Sequence, residues 1–207
     1  MQVKICGIRS IEAAEAAVKY GANYIGFIFV SGSKREIGTQ ECLEITNNIK
    51  NKFPESKVKS VGLFGNQDLS EIDGILDETD LDMIQLCGDR DFDVSIPSIR
   101  QIRIRESDSS DQILDYVQKA LLVHNYVVLD SYHDKKLGGT GNKFDWQKAK
   151  NVIGLTNVLV SGGLDTNNIE SLIKDFSPYG VDTSSGVETN GVKDIEKIKK
   201  FIELSKK

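Results

Sequence analysis

Residues 157–187 read NVLVSGGLDTNNIESLIKDFSPYGVDTSSGV and contain the pattern from which we predict the fold. The apolar run 157–160 is followed by a glycine loop, by a stretch of helical period and by a second apolar run, 179–182. A strand, a helix and another strand in this order form a parallel βαβ unit. The stretch therefore predicts two parallel strands, each ending at a loop of small residues.

The same alternation extends to both ends of the chain. Apolar runs predict strands at 2–6, 24–29, 57–64, 82–86, 100–105, 126–130, 157–160 and 179–182. Stretches of helical period predict helices at 11–20, 39–50, 68–77, 111–122, 145–152, 166–176 and 193–204. Ser, Thr or Asp begins several of these helices as a cap. Residues 87–99 show little helical pattern, so a short helix or a loop is expected there.

Eight strands alternating with helices fit an α/β fold, a single (β/α)8 (TIM) barrel domain over residues 1–207. An open doubly wound sheet is the alternative, because alternation alone predicts either fold. In a barrel the active site lies at the carboxyl ends of the strands. Polar or small residues follow six of the predicted strands, at 6–7, 31–35, 85–88, 130–131, 161–164 and 182–186.

Composition excludes several classes of protein. Hydrophobic residues make up 39% and charged residues 28%, which fits a folded globular chain, and no apolar run reaches the roughly 18 residues of a membrane span. The net charge of −5 disfavours nucleic acid as a partner. The Lys-rich stretch 193–207 is interpreted as a helix with a solvated face. Three widely spaced cysteines and no secretory leader predict a cytoplasmic protein.

Two loops of small residues predict a phosphate site. Gly162 and Gly163 follow the seventh predicted strand, and Ser184 and Ser185 follow the eighth. Glycine lets the backbone approach a ligand closely, and helix N-termini present free N–H groups to anions. Loops after strands seven and eight are the recurrent phosphate position in barrel enzymes. We therefore expect a small phosphorylated molecule as ligand. The loop 137–141 is predicted to be a lid rather than a dinucleotide site.

Ordered motifs along nearly the whole chain resemble those of the phosphoribosylanthranilate isomerase family. They are the segments 4–8 (KICGI), 26–29 (GFIF), 33–35 (SKR), 61–64 (VGLF), 82–86 (DMIQL), 129–130 (LD), 138–141 (GGTG), 144–146 (FDW), 161–164 (SGGL), 180–188 (GVDTSSGVE) and 191–194 (GVKD). Two positions depart from the family pattern. Cys87 stands where the family usually has histidine, and Lys34 stands where proline is common. The role of the fourth loop is therefore left open.

The resemblance implies an Amadori rearrangement of N-(5-phosphoribosyl)anthranilate in tryptophan biosynthesis, without a redox cofactor or a metal. It implies that Cys6 is the general base and Asp130 the general acid. We expect Lys4, two residues before Cys6 on the same strand face, to lower the pKa of the thiol. The apolar run before Asp130 is expected to raise the pKa of that carboxyl.

Further residues receive roles on the same basis. Arg35 is expected to bind the anthranilate carboxylate, since a guanidinium binds carboxylates through two hydrogen bonds. Gln85 is expected to hydrogen-bond the substrate, and Asp182 to position the sugar. His124 and His133 are predicted to be loop or surface residues. The remaining assignments are a structural Cys42, a Trp146 that packs the sixth helix onto the barrel, and a monomer or a homodimer.

Two other functions remain open at this point. One is another phosphate-binding barrel enzyme: a sugar-phosphate epimerase would need metal-binding histidines, of which there are only two in the chain. An aminal isomerase of histidine biosynthesis would resemble a two-carboxylate pattern with Asp at the end of the first strand, where this chain has Cys6. The other is a non-catalytic barrel that binds a phosphorylated regulator.

Overall fold

Eight parallel strands close into a barrel in sequence order, and the eighth strand pairs with the first. A computed structural model of the chain describes residues 1–92, 94–132 and 144–207. The strands are β1 Gln2–Cys6, β2 Tyr24–Ile28, β3 Lys59–Phe64, β4 Met83–Leu86, β5 Ser98–Ile104, β6 Tyr126–Ser131, β7 Val158–Val160 and β8 Gly180–Thr183. Barrel closure confirms the predicted fold and rules out the open sheet.

Helices surround the barrel, and their bounds lie close to the predicted ones. They are α1 Ile11–Tyr20, α2 Thr39–Lys52, α3 Leu69–Glu78, α4 Ser110–Leu121, α5 Lys150–Ile153, α6 Ile169–Phe176 and α7 Ile195–Ser205. Cap side chains begin four of them: the side chains of Ser10, Asp68, Ser109 and Asp194 accept backbone N–H groups of the first turn. The predicted helix 145–152 is instead a 3-10 turn, Trp146–Ala149, followed by the short α5.

The described residues between β4 and β5 form a loop, which is one of the two structures that the sequence predicted there. Arg100 on β5 stabilises this connection. Its guanidinium donates to the carbonyl oxygens of Arg90 at 3.0 Å and of Gly88 at 2.9 Å. Hydrogen bonds from a charged donor are stronger than neutral ones. One arginine therefore holds the loop against a part of the barrel that a helix covers elsewhere.

The interior of the barrel contains polar side chains as well as apolar ones. Its apolar members are Cys6, Tyr24, Val61, Leu63, Met83, Cys87, Ile99, Val128 and Leu159. Alternation along the strands places five buried polar side chains among them, namely Lys4, Gln85, Gln101, Asp130 and Asp182. Burial of polar and charged groups costs free energy unless they are paired. The cluster of buried polar side chains therefore indicates that the functional site lies in the barrel interior.

Some predictions about single residues need correction or fall outside the described residues. Trp146 contacts Phe176 of α6 edge to face, with ring centroids 6.3 Å apart. His124 lies in a loop as predicted but is buried, not on the surface, because its ring is held between Ser98 Oγ and Asp91 Oδ1, each at 2.9 Å. His133 and the proposed lid at 137–141 lie outside the described residues. No helix within the described ranges is long and apolar enough to cross a membrane.

Candidate active site

Cys6 ends β1 inside the barrel, beside Gly26 of β2. A Cβ atom at position 26 would lie 3.1 Å from Cys6 Sγ, so the glycine leaves room for the thiol. Burial raises the pKa of Cys6, and the nearby Lys4 ammonium opposes this only in part. Lys4 therefore has the expected direction of effect on the thiol, but the expected net result, a thiol pKa below its ordinary value, is wrong for the free protein.

Lys4 is engaged by another partner. Its Nζ donates to Asp182 Oδ2 at 3.1 Å, and both side chains are buried. Burial alone would lower the pKa of Lys4, but the charges of Asp182 and Cys6 outweigh burial and raise it. Lys4 is therefore an ammonium fixed between strands. Asp182 Oδ1 is buried and has no hydrogen-bond partner in the described part of the chain.

Asp130 lies on β6 near the carboxyl end of the strand and is buried. Its Oδ1 accepts the backbone N–H of Ser131 at 2.8 Å, and its Oδ2 accepts Nε2 of Gln101 at 2.7 Å. Burial raises the pKa of Asp130 to about 6, and the charge of Asp182 adds to this effect. The predicted direction of this shift is confirmed, and it gives the carboxyl a pKa suited to proton transfer near neutral pH.

Gln85 and Cys87 lie together at the end of β4. Gln85 Nε2 donates to Cys87 Sγ at 3.4 Å, and Gln85 Oε1 is buried without a partner among the described residues. Burial raises the pKa of Cys87 to about 12. The thiol therefore stays protonated at neutral pH. It does not replace the acid–base chemistry of an imidazole, which titrates near neutrality.

Arg35, in the loop after β2, reaches the same end of the barrel. A Cβ atom at position 7 would lie 2.7 Å from Arg35 Cδ and 3.0 Å from Ser184 Oγ, so all three positions are adjacent. The guanidinium is already paired, because Nε and Nη2 donate to the two carboxylate oxygens of Glu188 at 2.6 and 2.8 Å. Of the guanidinium nitrogens, Nη1 lies outside this pair. Sequence reasoning placed Arg35 correctly but did not predict its carboxylate partner.

The two predicted phosphate loops are brought together. Gly162 and Gly163 have φ values of 84° and 66°, a left-handed conformation that favours glycine. Ser185 begins a 3-10 turn, Ser185–Val187, directly after Ser184. Across the described residues, the backbone N–H groups of these four residues donate to no other group of the chain. The loops therefore present unpaired N–H donors of the kind that bind phosphate oxygens.

Lys193 is a site residue that sequence reasoning missed. It was predicted to begin a solvated helix, but it lies before α7 in a two-residue ladder, Val192–Lys193, and its side chain is 6% exposed. Its Nζ donates to Ser184 O at 2.9 Å and to Glu188 Oε1 at 2.6 Å. Burial lowers its pKa, although Glu188 opposes the shift. Lys193 belongs to the family-like motif 191–194, but nothing in the sequence around it indicates that its side chain is buried beside Ser184.

The described residues contain no group of three or more His, Cys, Asp or Glu side chains arranged to hold a metal ion. The three cysteines, Cys6, Cys42 and Cys87, are free and buried. The groups suited to chemistry are therefore a thiol, a carboxyl with a raised pKa, a buried ammonium and the unpaired backbone donors of two loops. These features define a class of enzyme: (β/α)8-barrel catalysts that use acid–base chemistry on phosphorylated substrates.

Comparison with known proteins gives the family. A family model described as N-(5'phosphoribosyl)anthranilate (PRA) isomerase matches residues 3–204, and the chain belongs to this family. A relative named N-(5'-phosphoribosyl)anthranilate isomerase, from Streptococcus mutans, is 40% identical over 210 residues, covering 100% of this chain and 99% of that protein. The predicted family is therefore confirmed, and the other two classes of function considered from the sequence are excluded.

Solved structures agree with this assignment. The phosphoribosyl anthranilate isomerase of Thermotoga maritima superposes with a TM-score of 0.83 at 28% identity, covering 100% of this chain and 98% of that one. A second structure from T. maritima describes that enzyme as dimeric (TM-score 0.76, 28% identity, the same coverage). A third structure holds an isomerase of this family in complex with reduced 1-(o-carboxyphenylamino)-1-deoxyribulose 5-phosphate (TM-score 0.77, 28% identity, 100% and 98% covered).

Proposed function

We propose that this isomerase converts N-(5-phosphoribosyl)anthranilate to 1-(2-carboxyphenylamino)-1-deoxyribulose 5-phosphate with Asp130 as general acid and Cys6 as general base. One observation carries the assignment of roles. A carboxyl whose pKa is raised to about 6 and a thiol lie buried at the same end of one barrel, each at the end of its strand. A pair of titratable groups with different environments is the usual mark of an acid and a base.

The reaction needs two proton transfers. Protonated Asp130 gives its proton to the ring oxygen of the ribose as the bond between that oxygen and C1′ breaks, which leaves a cationic iminium at C1′. The Cys6 thiolate then takes the proton from C2′, and the electron pair of that bond neutralises the iminium to give an enolamine. Transfer of the enol proton to C1′ gives the ketose. Each step is general acid–base catalysis.

The remaining site residues hold the substrate in this scheme. The N–H groups of Gly162, Gly163, Ser184 and Ser185 bind the phosphate, as helix and loop N–H groups do in other barrels. Arg35 offers Nη1 to the anthranilate carboxylate. The unpartnered oxygens of Gln85 and Asp182 accept hydrogen bonds from sugar hydroxyls, and this use removes the cost of leaving them unpaired.

We also propose the domain organisation, cofactor requirement, compartment and partners of the enzyme. The chain acts as a single barrel domain over residues 1–207, without a cofactor or metal, in the cytoplasm, as a monomer or a homodimer, and it has neither nucleic acid nor membrane as a partner. The free, buried cysteines are compatible with a reducing compartment. The negative net charge supports the exclusion of nucleic acid.

The role of Cys6 is tested by Cys6→Ser, with Cys42→Ser as a matched control at a buried cysteine of α2, away from the barrel interior. We expect kcat of Cys6→Ser to fall by about 10²- to 10⁴-fold, because a hydroxyl is a far weaker base than a thiolate near neutral pH. The Cys42→Ser variant should keep kcat. The measurement is the loss of anthranilate fluorescence, corrected for spontaneous hydrolysis. A Cys6→Ser variant with normal kcat would remove Cys6 from the mechanism.

A further inference from the structure

Gln101 is a buried polar residue of the barrel interior to which the family motifs assign no role. It lies on β5, one strand away from Asp130, and it pairs in register with Val128. Its Nε2 donates to Asp130 Oδ2 at 2.7 Å, and both groups are buried. Gln101 thus contacts the one group in the site that we propose as the general acid.

The geometry of the carboxyl shows what this contact does. Asp130 Oδ1 accepts the N–H of Ser131, and Asp130 Oδ2 accepts Gln101 Nε2. Among the described residues each oxygen has one donor, so a partial rotation of the carboxyl about its Cβ–Cγ bond would break both hydrogen bonds. The Ser131 donor belongs to the neighbouring backbone position and comes with the fold. Gln101 supplies the second point of attachment.

A purely structural role does not explain a glutamine at this position. Gln101 Oε1 is buried without a hydrogen-bond partner in the described part of the chain. Burial of an unpaired carbonyl oxygen is unfavourable. An apolar side chain of similar size would fill the same space without that cost, as Ile99 and Val128 do in the same interior. An apolar side chain at position 101 could not donate a hydrogen bond to Asp130, as Gln101 does.

We propose that Gln101 is a positioning residue that holds the carboxyl of Asp130 in the orientation required to protonate the ring oxygen of the substrate. The proposal rests on the proposed function, since it assumes that Asp130 is the general acid. A misplaced catalytic group lowers the rate of chemistry more than it lowers affinity. The amide also donates to the charged form of the carboxyl, so it lowers the pKa of Asp130 and opposes the effect of burial.

Other charged and titratable groups face Asp130 and must stay constant in a test. They are Asp182 on β8, Lys4 on β1 and Cys87 after β4, each coupled electrostatically to Asp130. Arg103 on β5 is the Cα partner of Asp130 in the strand pairing. A substitution at position 101 changes none of these residues, so a change in the titration of Asp130 is attributable to the lost amide.

The test is Gln101→Met, which keeps the size of the side chain and removes the donor. We expect kcat to fall about tenfold while KM changes by less than about twofold. The carboxyl carbon of Asp130, followed by ¹³C NMR, should titrate at higher pH than in the wild type, because the charged form has lost a donor. Gln118→Met, on the exposed face of α4, is the matched control and should change neither quantity. An unchanged Asp130 titration, or a kcat within twofold of the wild type, overturns the proposal.

Two further variants cover the case in which Gln101→Met folds poorly and separate this proposal from the proposed function. Gln101→Glu keeps the shape of the side chain and places a second carboxyl beside Asp130. Two neighbouring carboxyls share one proton, so the pKa of Asp130 should rise further than in Gln101→Met. An unchanged pKa of Asp130 in Gln101→Glu contradicts the contact. Gln101→Met should cause no additional loss of kcat in an Asp130→Asn background, and an additional tenfold loss overturns positioning. If Asp130→Asn alone keeps normal kcat, the acid role fails. A shifted titration with normal kcat in Gln101→Met overturns only the role of Gln101.

Discussion

At the scale of single residues, the protonation state of the free site is the reverse of the state that the proposed mechanism uses. Burial raises the pKa of the Cys6 thiol above its ordinary value, and it raises the pKa of Asp130 to about 6. At neutral pH the prevailing form is therefore a thiol beside a carboxylate. The proposed mechanism requires a thiolate at Cys6 and a protonated carboxyl at Asp130. The active form is thus a minor species between the two pKa values.

This reversal predicts the shape of the pH profile. As pH rises toward about 6, the thiolate fraction grows while Asp130 stays protonated, so kcat/KM should increase. Above about pH 6 the growing thiolate fraction is offset by the loss of protonated Asp130, so kcat/KM should be flat until Cys6 titrates. The measurement is kcat/KM from pH 5 to 9 in buffers of constant ionic strength. A tenfold decline for each unit above pH 6 would show instead a thiolate that is already formed at low pH.

The residues also show how far sequence reasoning reaches. The positions of Cys6 and Asp130 at this end of the barrel were predictable because each stands where an apolar run ends, and strand ends are the catalytic positions of a barrel. The sign of the Cys6 shift was not, because it depends on the depth of burial and on the engagement of Lys4 by Asp182, 178 positions along the chain. The contact between Arg35 and Glu188 escaped prediction for the same reason.

At the scale of secondary structure elements, the loops after β7 and β8 depend on a close backbone approach. A Cβ atom at position 186 would lie 1.9 Å from the carbonyl oxygen of Leu164 and 2.8 Å from Thr183 Oγ1. Thr183 Oγ1 itself donates to Leu164 O at 2.6 Å. Only glycine at position 186 allows the two loops to lie this close. The proposed phosphate site therefore depends on Gly186, whose own N–H is not assigned to the ligand.

Gly186→Ala should consequently separate the two loops. We expect KM to rise about tenfold or more and the free energy of unfolding to fall by about 1–3 kcal/mol, because overpacking forces the backbone to shift. Gly74→Ala is the matched control, since a Cβ atom there would meet no atom within 4 Å and the residue lies inside α3. That variant should be more stable by about 0.5–1 kcal/mol with unchanged KM. Chemical denaturation and steady-state kinetics check both. A Gly186→Ala variant with normal KM would contradict the dependence on this contact.

The elements were largely predictable, and their errors have physical causes. All eight strands were identified because each is an apolar run, and six of these runs are followed by small or polar residues. The prediction of one α-helix at 145–152 was wrong, since a 3-10 turn there precedes an α-helix of only four residues. Lys193 was placed in the last helix, but Asp194 caps that helix and leaves Lys193 outside it. A charged stretch with helix-like composition does not show which of its residues caps the helix and therefore where the helix begins.

At the scale of the whole molecule, a chain of net charge −5 builds a local site for an anion. Three cations, Lys4, Arg35 and Lys193, lie at this end of the barrel, but Asp182 and Glu188 are paired with them. The ion pairs cancel most of the positive charge. In the proposed function, binding of the phosphate would therefore depend mainly on directed N–H groups rather than on a positive field.

In the proposed mechanism this barrel isomerises phosphoribosylanthranilate by means of two of its own side chains, Cys6 and Asp130. The most direct measurement is the rate at which anthranilate-type fluorescence disappears when substrate generated in place meets the wild type or the Cys6→Ser/Asp130→Asn double variant. Both proteins keep the phosphate loops, so a difference between them reports chemistry rather than binding. We predict rapid loss with the wild type and only the spontaneous rate with the double variant. Loss at the spontaneous rate with folded wild type, or rapid loss with the double variant, would contradict the account.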